Sequence, residues 1–360
     1  MHSVVINRYP YPSSLHRYAM NLFEGSAGDS SLVNIVTNSP KWSNPHIGQD
    51  VKVAFHKNFY ISGLMSRRTF GNASRLITEI RRSRENVVVH LAAPFADPSF
   101  VRGFPVTVTI HDSPEAMFIK GQYRRLSEPL TSYSRRMRLT RMLYSRAMKL
   151  PYLCVDSNHV ALALKEYGYE GETYVLHPPV SGIFQQIPDK TEARKRLGLP
   201  LNRKLILSVS IDEVRKNLDM VKKVMTASKD WASVVRLGSD IGSGYTFSNV
   251  DNDTLNLVYN SCDLLLIPSL EEGFGYPVVE AFKVGIPVVA SDIEIFREVA
   301  GDAAVFVDPL NVEDVMRGIR EAIDRRDFFS QKGSERVAQF QMGEFSRKLK
   351  IMYDQIVAKF

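Results

Sequence analysis

Residues 264–300 read LLLIPSLEEGFGYPVVEAFKVGIPVVASDIEIFREVA, and this stretch decides the fold. Leu264 to Ile267 is an apolar run of strand length, closed by Pro268 and Ser269. A loop follows over 271–276, Glu-Glu-Gly-Phe-Gly-Tyr, and then Pro277. Proline marks a helix start, because its missing N–H would have no intrahelical partner in the first turn. Val278, Val279, Ala281 and Phe282 carry the helix on, Gly285 suits its C-terminal cap, and 286–290 is a second apolar run. Strand, glycine loop, helix and strand make one βαβ unit.

In such a unit the loop after the first strand faces the ligand crevice. The helix N-terminus presents N–H groups and a partial positive charge, which suits phosphate. Gly273 and Gly275 let backbone approach a ligand closely. Glu272 and Glu280, with seven residues between them, bracket this anion site. Carboxylates repel phosphate but accept hydrogen bonds from sugar hydroxyls, so the arrangement suits a sugar nucleotide. The structural alternative is that both glutamates merely favour the helix start and the glycines only shape a turn.

The stretch resembles the signature of glycosyltransferase family 4, retaining enzymes of the GT-B fold, with its Glu-x7-Glu hallmark. EGFGYPVVEA stands at 272–281, GIPVVAS at 285–291 and REVAGDAA at 297–304. The resemblance implies an α/β GT-B architecture, with two Rossmann-like domains facing across a cleft and a C-terminal helix crossing back to the first. The boundaries expected are 1–178 for the N-terminal acceptor-side domain, 179–345 for the donor-binding domain and 346–360 for the crossing helix. The hinge agrees with His177-Pro178-Pro179, two prolines after a strand-like run.

Outward from this stretch, residues 204–209, KLILSV, read as a strand leading to Ser210-Ile211-Asp212-Glu213-Val214-Arg215-Lys216-Asn217 and a helix. Arginine offers a planar fork and lysine a point charge, the two common ways to hold phosphate. An isolated Arg-Lys pair would more often be surface decoration. Here it falls on the same sheet edge as the glycine loop, and it resembles the family's G-x-x-E-P-R-K-N, with Ser210 for Gly and Val214 for Pro. The resemblance implies that Lys216, together with an arginine such as Arg215, holds the donor diphosphate. It implies that Glu272, Gly273, Phe274, Gly275 and Tyr276 surround the sugar, that Glu280 takes the ribose hydroxyls, and that Ser210 borders the donor.

In the first half, VTVTI at 106–110 is a clear strand ending at His111-Asp112. The family has a matching His-Asp, which implies that His111 touches the transferred sugar; the alternative is a loop cap. Ser13 and Ser14 occupy the place of the family's first-loop glycine pair and are expected to contact the donor by hydroxyl. Further strands are expected at 3–6, 32–36, 51–55, 86–91, 152–155 and 173–176, and an arginine-rich helix at 64–84. In the second half, helices are expected at 190–197, 253–260, 312–325, 329–341 and 343–360, and 238–249 reads as a short polar glycine-containing segment.

The 360 residues carry a net charge of +7, spread unevenly. Residues 1–180 hold 22 Lys and Arg against 13 Asp and Glu, a net +9. A basic half beside a near-neutral one suggests an anionic partner. Arg124, Arg125, Arg135, Arg136, Arg138, Arg141 and Arg146 make either a solvated helix face or a patch for anionic lipid head groups or a phosphorylated acceptor. No nucleic-acid module accompanies the charge, so nucleic acid is not the expected partner. No apolar run reaches transmembrane length, residues 1–12 lack a basic-then-apolar leader pattern, and two cysteines in apolar runs suggest no disulfide framework. A cytoplasmic protein, peripheral at the inner face of a membrane, is expected.

The activity implied is hexosyl transfer with retention, mannose favoured, from a GDP- or UDP-sugar to a saccharide or lipid-linked acceptor in glycan or cell-surface polysaccharide biosynthesis. No cofactor and no metal are expected, the cations at 215–216 taking the metal's place. The same fold could serve a nucleotide-sugar epimerase, a phosphorylase or a non-catalytic binding protein. The first would need general bases around the sugar and the second a pyridoxal-binding lysine, neither of which is evident.

Overall fold

The computed structural model describes residues 2–6, 14–26, 33–37, 54–55, 87–94, 103–118, 124, 125 and 128–360. The arginine-rich helix expected at 64–84 lies outside them. The chain divides into two compact units, 1–114 with 129–179 and 342–360, and 115–128 with 180–341.

The first unit is built on a seven-stranded parallel sheet. Its strands are β1 (His2–Ile6), β2 (Val33–Thr37), β3 (Ala54–Phe55), β4 (Val87–Leu91), β5 (Val106–Ile110), β6 (Tyr152–Val155) and β7 (Glu172–Val175), in the order β3-β2-β1-β4-β5-β6-β7. Its helices include α1 (Ser14–Ser26), while α2 (Pro114–Phe118) starts in it at Pro114 and continues in the second unit; α3 (Leu130–Ala147) and α4 (Asn158–Glu166) belong to the first unit again. β5 is buried along its whole length, as VTVTI requires when a parallel sheet is covered on both faces.

The second unit holds a six-stranded parallel sheet. β8 (Lys204–Ser210), β9 (Ala232–Gly238), β10 (Tyr245–Phe247), β11 (Leu264–Ile267), β12 (Val288–Ser291) and β13 (Ala304–Val307) run in the order β10-β9-β8-β11-β12-β13. Successive residues of β8 point to opposite faces. Leu205 and Leu207 enter one apolar cluster, and Ile206 enters the other with Val234, Leu264 and Leu266. Both faces are therefore dry, and the strands read as continuous apolar runs. Helices α5 (Lys190–Arg196), α6 (Leu218–Ser228), α7 (Asn252–Ser261), α8 (Tyr276–Lys283), α9 (Glu294–Ala300), α10 (Val312–Asp324) and α11 (Arg326–Val337) cover the sheet.

At the start of β8 and β11 a buried carboxylate locks the two strands side by side. Asp263 accepts from the Leu205 backbone N–H (2.7 Å) and from Arg194 (2.7 Å) and Lys190 (3.0 Å). The chain leaves toward β9 on one side and β12 on the other, so the β8/β11 boundary is the topological switch point where α/β sheets bind ligands.

Two expectations shift. Residues 115–128, assigned from sequence to the first domain, group with the second unit. There the Val214 N–H donates to the Arg124 carbonyl (3.1 Å), and Arg125 bridges Glu213. The polar stretch 238–249 contains β10, whose three residues pair with β9 and are too few to show a period. The last helix, α12 (Met342–Lys359), lies within a residue of the helix expected at 343–360 and belongs to the first unit. It returns because Phe345, Leu349, Met352, Tyr353 and Ile356 are apolar and bury against Tyr18, Ala19 and Leu22 of α1.

Candidate active site

The loops after β8 and β11 meet at the switch point. After β8 the chain makes a short 3₁₀ turn, Val214–Lys216, and Asn217 takes a left-handed φ of 52° before α6. The Asn217 side-chain amide donates to the carbonyls of Pro268 (3.1 Å) and Pro309 (2.8 Å), fastening this turn to the neighbouring loop. The Leu270 N–H donates to the Arg215 carbonyl (2.7 Å), so the backbones are tied as well.

Glu272 is the centre of this junction. Its Oε2 accepts from Arg215 Nη1 (2.9 Å), and its Oε1 accepts from Lys216 Nζ (2.6 Å) and Ser269 Oγ (2.9 Å). Burial works to raise its pKa, but the Lys216 and Arg215 cations outweigh burial and hold the carboxyl at about 2. Arg215 is further committed: Nε donates to Glu213 Oε2 (2.8 Å), and Nη1 also reaches the Glu271 carbonyl (3.2 Å). Lys216 spends one of its three N–H donors, on Glu272. Burial lowers its pKa, while Glu272 acts to raise it. Of the two expected phosphate ligands, Lys216 thus retains donors for an anion, and Arg215 serves as a buttress.

Gly275 caps α8 with φ 89°, and Pro277 follows in the first turn. A Cβ at Gly275 would stand 2.7 Å from Phe296 Cε1, so the loop passes close against α9. Gly273 and Phe274 are buried, and Phe274 packs edge-on to Tyr276 and Phe340 with ring centroids 5.4 and 5.6 Å away. The Phe274 side chain is therefore a core anchor. Glu280, the fifth residue of α8, is buried and accepts a hydrogen bond from the Tyr259 hydroxyl of α7.

His111, in the first unit, follows β5. Its Nδ1 lies 2.6 Å from Asp156 Oδ2 and its Nε2 2.6 Å from the Ala92 carbonyl. Both ring nitrogens are thus engaged, and a proton is held between His111 and Asp156. Burial lowers the His111 pKa, but Asp156 prevails and raises it. The sugar contact expected of His111 would thus use a ring already bonded at both nitrogens. Nearby His90, held between Tyr353 and Thr109, is pushed by burial down to about 3 and stays neutral.

Residues 245–338 match the family described as glycosyl transferases group 1. The match lies within the second unit. A serotype-specific mannosyltransferase of Escherichia coli, WbdA, is 28% identical over 144 residues, covering 39% of this chain and 17% of WbdA. LpsB of Rhizobium meliloti, a lipopolysaccharide core biosynthesis mannosyltransferase, is 29% identical over 148 residues, covering 35% of this chain and 42% of LpsB. The matched region thus spans less than half of either relative. HepE of Anabaena, solved in complex with UDP-glucose, superposes with a TM-score of 0.72 at 13% identity over 99% of this chain and 100% of HepE. The architecture is GT-B.

The switch point brings Arg215, Lys216 and Glu272 together, with Gly273 and Gly275 in the loop that carries Glu272. The Ser210 hydroxyl accepts from Arg236 (3.0 Å). Ser13 lies outside the described residues, and Ser14 is known only as the first residue of α1. Sequence reading missed Asp156, Ser269 and Arg236. Only Arg236 left a signal, a lone charge in the apolar run VVRLG. Among the described residues, no group of three or more His, Cys, Asp or Glu is placed to hold a metal ion.

Proposed function

We propose that the protein is a retaining glycosyltransferase that moves a hexosyl unit from a nucleotide sugar to a saccharide or lipid-linked acceptor in glycan biosynthesis. The observation that carries this is the Lys216–Glu272–Arg215 cluster beside the N-terminus of α8 at the switch point. The C1–O bond to the diphosphate breaks, and the charge that develops on the departing phosphate is met by Lys216 and the helix N-terminus. The acceptor oxygen bonds C1 on the same face, and its proton passes to the leaving phosphate. Glu272 holds Lys216 in place and, through the loop, the sugar-facing amides of 273–275. Mannose is the sugar favoured, because WbdA and LpsB are mannosyltransferases. UDP is the alternative nucleotide to GDP, because HepE was solved in complex with UDP-glucose.

A thermal-shift panel of GDP-mannose, UDP-glucose and related donors tests this, since a ligand of the native state raises Tm. One donor is expected to raise it, and Lys216→Ala to lower turnover of that donor at least about tenfold, the worth of one charged contact. No shift with any donor, or wild-type turnover in the variant, would sink the reading.

No described helix is long and apolar enough to cross a membrane. Arg135, Arg136 and Arg138 stand on the exposed face of α3, whose other face buries Met137, Leu143 and Tyr144. We assign this face to anionic lipid head groups near a membrane-bound acceptor. Replacing the three arginines by glutamine should weaken binding to phosphatidylglycerol vesicles about tenfold or more, at about 1 kcal/mol per charge; unchanged co-sedimentation would refute the assignment.

A further inference from the structure

Arg236 is among the largest side chains buried without any exposure. Its Nη1 donates to the carbonyls of Ser208 (3.0 Å) and Leu237 (3.1 Å), and its Nη2 to the carbonyl and hydroxyl of Ser210. Its Nε has no partner. Carbonyl and hydroxyl dipoles receive the guanidinium, and no carboxylate among the described residues lies within ion-pair distance of it. Asp212, half-buried, acts on it only from further off.

A buried cation without a counter-ion costs several kcal/mol unless something else answers its charge. The cations of the adjacent loop have theirs: Arg215 and Lys216 stand against Glu213 and Glu272, two bases and two acids in mutual contact. That cluster is neutral, although its part in the proposed reaction is to attract a diphosphate. Arg236 lies where the loop begins, at the carboxyl ends of β8 and β9, and it grips the last residue of β8. Gly238, opposite Ser210 in the ladder, allows this grip: a Cβ there would meet the Ser210 carbonyl at 2.1 Å.

We infer that Arg236 is a positioning residue that supplies the unneutralised positive charge of the donor edge and, through Ser210, sets where the 211–217 loop departs. The inference rests on the donor site proposed above. It separates two tasks: Lys216 touches the diphosphate, and Arg236 makes the edge electropositive from beneath.

The test compares Arg236→Lys and Arg236→Gln, which both retain a donor toward Ser210 but differ by one charge. Isothermal titration would read affinity for GDP and UDP, whichever the wild type binds, and for the matching nucleoside, at low and at physiological salt. Arg236→Gln should weaken diphosphate binding about tenfold, more at low salt, with nucleoside binding unchanged, and Arg236→Lys should stay within about threefold of wild type. Equal losses in the two variants, or parallel losses for diphosphate and nucleoside, would reduce Arg236 to a structural role and overturn the inference. Should Arg236→Gln not fold, Ser210→Asp places a carboxylate against Nη2 and neutralises the charge in place. Undiminished diphosphate binding by Ser210→Asp would overturn the inference as well. Lys216→Ala separates the two claims. If it binds diphosphate like wild type, the donor site itself is wrong; if it weakens binding while Arg236→Gln does not, only the role of Arg236 fails.

Discussion

Glu272→Ala is expected to unfold at markedly lower denaturant and to turn over donor at least about tenfold more slowly, because it strips a buried cation pair of its carboxylate. Arg215 would keep Glu213, but Lys216 would lose its one carboxylate partner among the described residues. Breaking a buried pair from one side typically costs about 3–5 kcal/mol, more than the pair's net worth, since the remaining charge stays desolvated. The effect has a pH signature. The Glu272 carboxyl sits at about 2 in the folded protein against an ordinary value of 4.5. A depressed acid stabilises the fold above its unfolded value and loses that contribution as pH falls through the folded one. Wild type and variant should therefore differ fully at pH 7 and converge between about 4.5 and 2, with a contribution of about 3 kcal/mol lost across that window. Urea unfolding at pH 7, 4 and 3 checks this. A variant within about 0.5 kcal/mol of wild type at pH 7, the range of ordinary surface substitutions, would remove Glu272 from the centre of the site.

Gly238→Ala is the second large effect. At φ 140° an L residue is strained, and the new methyl would stand 2.1 Å from the Ser210 carbonyl oxygen and 3.0 Å from Arg236 Nη2. Backbone cannot swing aside as a side-chain tip can, so β8 and β9 would have to part at the end that carries the cationic loop. Strain and overpacking together predict a loss of about 3 kcal/mol or more, and weaker donor binding with it. Gly242→Ala is the control. Its φ is 85°, but nothing lies within 4 Å of the added carbon, so backbone strain alone should cost about 1 kcal/mol. Equal losses in the two variants, measured by urea unfolding, would show that the close approach at Ser210 is unimportant.

Much of the second unit was legible because its information is local. KLILSV and LLLI are continuous apolar runs, so two buried strands could be placed within a residue or two of β8 and β11. Pro277 and Gly275 announced the start of α8 for steric reasons that operate within one turn. The partners of the charges were less legible. Glu272 reads as a hydroxyl acceptor when only its own loop is considered, and as the counter-ion of two cations once the loop after β8 lies beside it. Residues 124 and 125 belong to an arginine-rich stretch in sequence, yet their backbone lines the Glu213–Val214 turn. Nothing in the spacing of those arginines could have shown this.

The sequence by itself determined the parallel α/β class, the two phosphate-type loops and which residues stand in them, because strand period, proline and glycine sterics act over neighbouring residues. Only the tertiary structure decided that Glu272 neutralises Arg215 and Lys216, that His111 is bonded at both nitrogens, and that Arg236 is a buried cation without an acid. Those outcomes depend on strand order: β8 lies between β9 and β11, and β5 beside β6. That order is set by how crossovers bury both faces of a sheet, and it joins side chains far apart in the chain that no local period connects.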